Sequence, residues 1–224
     1  MDTDEILADY LKKMGSELGP IFHALSSELS LVHWRWSQYR ILFGETPSRI
    51  ELLNDCAPFF FRIVQDALFE ETLLGIAWLI GPPISGYRPT MTIQRLPPLC
   101  SPKIQDEVRK LVGEAIQAGK FATDWRHRRI AHRDLDLALG RPAKILEVAT
   151  REKVEAALTA LRDVLNSIEH EYCEAVTAYF SPTPWGAESL LHILRDGLLR
   201  EKDRHARWNR GELHDDDIKP LEPI

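Results

Sequence analysis

A chain of 224 residues with 44% apolar and 28% charged side chains can bury a full hydrophobic core, which excludes wholesale disorder. The formal net charge of −6 excludes a general nucleic-acid coat, whose cations cover a whole face, so any contact with nucleic acid has to be local. Cys56, Cys100 and Cys173 are far apart and odd in number, which fits neither a zinc-spaced set nor a secreted disulfide framework. The opening Met-Asp-Thr-Asp-Glu has the wrong charge for a signal peptide, and the longest apolar run, Leu73 to Ile80, is too short to span a bilayer. A cytoplasmic protein with no membrane contact is expected.

Apolar residues recur at helical spacing almost everywhere, and strand signals are nearly absent. A helix is predicted over residues 3–18, interrupted at Gly19-Pro20, with a second running to about Phe43. Gly44-Glu45-Thr46-Pro47-Ser48 reads as a break, with Ser48 as N-cap of a helix from about Arg49 to Ile80. Its apolar stripe is Leu53, Cys56, Phe60, Val64, Ala67 and Leu68. Residues 81–102 hold six of the fourteen prolines and read as a stiff loop with one short helix over Thr90–Leu96. Ser101-Pro102 supplies an N-cap and a proline for the next helix, which carries Ile104, Val108, Leu111, Ala115 and Phe121 toward a basic cluster.

Leu135 to Ala149 reads as irregular, broken at Gly140 and Pro142. Thr150 caps the cleanest helix, whose seam is Val154, Leu158, Leu161, Leu165, Ile168, Tyr172 and Val176. Pro182 and Pro184 are expected to end it, and a last helix runs from about Trp185 to Trp208, before a loose tail at His214-Asp215-Asp216-Asp217. Four long amphipathic segments with short or proline-stiffened joints specify an all-α, four-helix bundle with extra N-terminal and C-terminal helices. Its core is expected on the stripes centred near residues 30, 65, 115 and 165. The bundle is assigned to residues 1–180, and 181–224 to a C-terminal helix and flexible tail packed on it or extending it.

The stretch Arg126 to Arg133 packs four arginines and two histidines into eight positions, against the overall charge. Arginine is a bidentate partner for phosphate, and histidine changes charge near neutral pH, so the cluster points to a phosphodiester site that moves protons. An arginine followed by a histidine after four to six residues also occurs at Arg200/His205 and Arg207/His214, in polar surroundings. Only Arg126/His132 follows a long core helix and contains an apolar pair, Ile130-Ala131. The competing reading is a helix C-terminus decorated with cations, favoured by the macrodipole. Six residues of ideal helix turn through roughly 240°, so Arg126 and His132 share no face of an unbroken helix. Either the helix ends or distorts between them, or His132 pairs with Arg128 or Arg129. Asp134 is placed to orient His132 or to be the N-cap of the next element.

Arg126-His127 followed by His132, with Ala131-His132-Arg133-Asp134 closing the string, resembles the signature of the HEPN superfamily, and within it the abortive-infection, AbiU2-like branch. Asp66-Ala67-Leu68 through Leu79-Ile80-Gly81-Pro82 is similar to that branch's second helix and its closing turn, with Gly81 where an aspartate is common. The Thr150 helix matches its fourth, and the likeness covers roughly residues 20–180. The resemblance implies an up-down four-helix HEPN bundle and, in many members, metal-independent endoribonuclease activity in phage defence or as a toxin. Other members act only as binding modules, so a catalytically inactive bundle that binds a protein or nucleotide is the alternative.

Carried over, Arg126 contacts the scissile phosphate and His132 serves as general base or acid for attack by the 2′-hydroxyl. His127 fills the polar position of the motif. Arg128, Arg129 and Arg133 are assigned to the RNA backbone, which would make binding salt-dependent. The implied partners are RNA, a second copy of the chain, and an antitoxin or regulatory protein; no cofactor or metal is expected. Asp134 stands where the nucleotidyltransferase-paired branch has a tyrosine, so control by modification of that tyrosine is not expected.

Three further groups stand out. His170, Cys173 and Glu174 lie at helical spacing but have no fourth ligand nearby, which favours packing over a metal site. Glu70 and Glu71 belong either to a solvated face or to a pair with an arginine of the cluster. Trp34, Arg35, Trp36, Tyr39 and Arg40 interleave aromatic and basic residues as a single-strand binder does, although aromatics on a core helix more often pack.

Overall fold

The computed structural model describes residues 3–130, 135, 139–141, 145–179, 186–212, 214 and 217. The protein is all-α: among the described residues the only strand pairing is Ile84–Ser85 against Arg88–Pro89. The helices are α1 (Thr3–Tyr39), α2 (Pro47–Cys56), α3 (Pro58–Leu79), α4 (Gln105–Trp125), α5 (Arg151–Cys173) and α6 (Ala187–Arg210). The chain divides into two compact units, one of Met1–Ser37 with Ala67–Ser181 and one of Gln38–Asp66 with Pro182–Ile224.

The first unit is an up-down four-helix bundle of α1, α3, α4 and α5, and its neighbours can be followed around a closed ring. Gly75 of α3 meets Val32 of α1, so closely that a Cβ on Gly75 would lie 2.5 Å from Val32 Cγ2. A Cβ on Gly119 of α4 would lie 2.7 Å from Ile80 Cδ1 and 3.1 Å from Ile76 Cγ2, just past and within α3. Lys153 near the start of α5 lies over the Phe121 ring late in α4, and Ser167 late in α5 reaches Glu107 early in α4, so these two run antiparallel. Tyr10 donates to buried Glu169 at 2.7 Å, and His33 bonds the backbone of Leu158, which makes α1 and α5 antiparallel as well. Leu25, Leu29, Val32, Leu73, Ile76, Val108, Ala115, Leu161, Leu165 and Ile168 fill the space between.

Several local expectations are corrected. The break in α1 falls at Gly15 (φ 85°, ψ 175°), not at Gly19-Pro20, and Pro20 lies inside the second helical run. Gly19 is instead a close-approach residue: a Cβ there would stand 2.8 Å from the carbonyl oxygen of Tyr10. The helix expected from Arg49 to Ile80 is two helices. Proline disfavours helical geometry in the residue before it, and Ala57 (φ −161°, ψ 73°) breaks the run while Pro58 opens α3.

Phe60 is therefore 59% exposed, and the buried part of α3 lies around residues 72–79, not near 65. Thr46, not Ser48, is the N-cap of α2. At α4 the Ser101-Pro102 signal opens a turn, and the helix proper starts at Gln105. Thr150 caps α5 as read, its hydroxyl accepting from the N–H of Lys153 at 3.3 Å. The helix stops at Cys173, however, where Glu174 turns left-handed, well before Pro182 and Pro184, so Val176 is exposed.

In the second unit α6 packs with α2 and with the π-helical turn Arg40–Gly44. Gln38 Oε1 accepts from the N–H of Ala187 at 2.7 Å, and Arg49 reaches the carbonyl of Ile41 and the carboxylate of Glu45. The tail read as loose is anchored at one point: Arg207 makes a two-pronged ion pair with Asp217, which holds that carboxyl down at about 2. No helix among the described residues is long and apolar enough to cross a membrane.

Candidate functional site at the end of helix α4

α4 does not stop at Trp125 but widens into a π-helical turn over Arg126–Ile130, where the cluster begins. A distortion after Arg126 is one of the alternatives that the angular mismatch with His132 leaves open, and π turns recur at functional sites. The turn is held from both sides. Trp125 Nε1 donates to the carbonyl of Glu147 at 2.7 Å, and Asp124 accepts from the N–H of Glu147 at 3.1 Å. The Trp125 ring also packs edge-on against Phe69 of α3.

The arginines of the cluster have different surroundings. Arg128 lies 3.8 Å from Asp124, one turn back, and both side chains are largely buried. Arg129 stacks over Trp125, 5.4 Å from the ring centroid, and pairs with Glu70 of α3 at 3.3 Å. Glu70 thus takes the pairing role, while Glu71 is exposed. Arg126 and His127, in contrast, make no side-chain ion pair or hydrogen bond to any other described residue, and both line a groove of about 860 Å³. His132, Arg133 and Asp134 lie outside the described residues.

The groove lies wholly within the bundle unit. Its floor is Trp78 at the end of α3, Ile80 just past it and Ile116 of α4; Lys120 and Thr123 continue along α4 to Arg126. Its rim is the 81–95 segment, where Met91 and Gln94 face the space. That segment is tied to the end of α3 by polar groups. The Thr92 hydroxyl lies 2.9 Å from the carbonyl of Leu79 and 2.7 Å from that of Gly81, and Gln94 Nε2 donates to Ile80 and Gly81. These bonds occupy carbonyls that a helix end leaves unpaired. Glu28 of α1 is the carboxylate of the groove, and it lies 3.7 Å from Arg35.

Other candidates resolve simply. Trp36 is buried core, whereas Trp34 is 51% exposed. No group of three or more His, Cys, Asp and Glu among the described residues is arranged to hold a metal ion. All three cysteines are free, and burial pushes the Cys100 thiol up to about 11, away from nucleophilic use. Reading the sequence missed Trp78, Lys120 and Met91, which carry no motif and line one groove because α3 packs on α4 and the segment after α3 is tied back to its end.

An up-down helical bundle with a basic turn at the end of its third helix fits the HEPN class. The AbiU2 HEPN family model matches residues 15–183, three quarters of the chain, and the protein belongs to that family of abortive-infection domains. Neither the curated proteins nor the solved structures gave a match.

Proposed function

We propose that this chain is a metal-independent endoribonuclease of the HEPN type, acting in phage defence or as a toxin. One observation carries the proposal: in a basic cluster whose other described arginines are engaged with acidic side chains, Arg126 faces a groove with no counter-charge of its own among the described residues. A guanidinium held that way by a rigid turn suits a phosphate on which charge develops.

In the proposed reaction the 2′-hydroxyl of RNA attacks the adjacent phosphorus while His132 takes its proton. The P–O5′ bond breaks, and the partner's His132, in a two-fold dimer, protonates the leaving 5′-oxygen. The products are a 2′,3′-cyclic phosphate and a 5′-hydroxyl. Arg126 neutralises the charge on the non-bridging oxygens, with His127 beside it and Arg133 toward the RNA backbone; Arg128 and Arg129 join it there only by leaving Asp124 and Glu70. Asp134 orients His132.

The test is cleavage of labelled single-stranded RNA in EDTA. Arg126→Ala and His132→Ala are each expected to lose activity about 10²–10³-fold with the circular dichroism spectrum unchanged. Cleavage retained by both variants overturns the assignment. A clean preparation inert at every salt concentration leaves a binding module in its place.

A further inference from the structure

Trp78 is the largest side chain on α3, yet it is 45% exposed, while its neighbours Ala77 and Leu79 are 1% exposed. The backbone beneath it is braced, since Thr92 and Gln94 hold the carbonyls of Leu79, Ile80 and Gly81. Met91 and Ile116 border the same space. Along α4, Ile116, Lys120, Thr123 and Arg126 follow at steps of four, three and three, so one stripe leads from this apolar floor to the guanidinium. Lys120 is exposed and, like Arg126, makes no ion pair with a described carboxylate.

A braced indole face beside cations that lack counter-charges matches an unpaired nucleotide, because every base offers a π-face and every linkage a negative charge. The volume of about 860 Å³ falls within the roughly 300–1,000 Å³ of sites that enclose small ligands. An apolar protein segment fits less well, since covering Lys120 and Arg126 without an anion leaves buried charge uncompensated.

We infer that this groove is a single-stranded RNA subsite: one unpaired base stacks on Trp78 between Met91 and Ile116, and Lys120 holds the adjoining phosphate on its way to Arg126. The assignment of the cut linkage to Arg126 rests on the nuclease reading; the stacking subsite does not.

The test measures binding of a short 2′-O-methyl oligonucleotide, which cannot be cleaved by 2′-oxygen attack, by fluorescence anisotropy. Trp78→Ala is expected to weaken binding about tenfold or more, and Trp78→Phe to keep it within about threefold. Lys120→Ala should weaken binding and lower the slope of log affinity against log salt by about 0.7. The same sequence as a duplex should bind less tightly than the single strand. Circular dichroism of the variants reports whether the bundle is intact.

Equal binding by Trp78→Ala and wild type, a preference for duplex, or no binding by wild type overturns the subsite. If the wild type cleaves RNA and Trp78→Ala leaves KM unchanged, the subsite falls while the nuclease stands. If binding depends on Trp78 but no RNA is ever cut, the nuclease falls while the subsite stands.

Discussion

His33 stacks on Tyr179, ring centroids 5.7 Å apart, with one ring nitrogen bonded to the backbone of Leu158 and the other, Nε2, buried without a partner. Burial, joined by the charge of nearby Arg162 and opposed by the bond to Leu158, pushes its pKa down to about 4 from the ordinary 6.5. The unfolded chain therefore binds a proton that the folded chain refuses between those values. Stability from this residue is fully present above about pH 6.5 and falls as the pH drops toward 4, by a total on the order of 3 kcal/mol. Urea unfolding at pH 7, 6 and 5 should show that loss, and His33→Phe should flatten it; an unchanged slope in the variant would assign the effect elsewhere. At this scale the sequence was legible where charge stood out from its background, as at Arg126 and His127. It was silent on Trp78 and Lys120, whose importance lies in which neighbours they lack.

Helix contacts in the bundle depend on missing side chains as much as on present ones. Gly75→Ala would drive a methyl against Val32, a β-branched residue with little rotamer freedom, and should cost about 1–3 kcal/mol in chemical denaturation. Combined with Val32→Ala, the two substitutions should be less costly than their sum, a coupling expected only of residues in contact. Strictly additive losses would mean that α1 and α3 do not meet there. Elements with a local cause were readable, as Thr150 capping α5 shows. The joint between α2 and α3 was not, because the apolar spacing continues across Ala57-Pro58 and hides the break that proline makes. The short hairpin at 84–89 likewise has too few residues to show a period.

For the molecule as a whole, a site completed by a second protomer makes activity depend on protein concentration. Cleavage per protomer should fall on dilution below the dimer dissociation constant, with sedimentation showing monomers over the same range. Constant activity in a proven monomer would remove the two-fold cleft from the mechanism. That the chain is a bundle of helices could be read from periodicity, although the stripe it suggested for α3 was not the buried one. The grouping of residues 38–66 with 182–224 could not, because no local pattern reports which distant segments meet. The two bonds at Glu147 also bear on the path of the chain. Because the backbone there is fastened to Asp124 and Trp125, the chain that departs after Ile130 is already back at its point of departure when α5 begins. The end of α4 and the approach to α5 are thereby pinned to each other at a single residue.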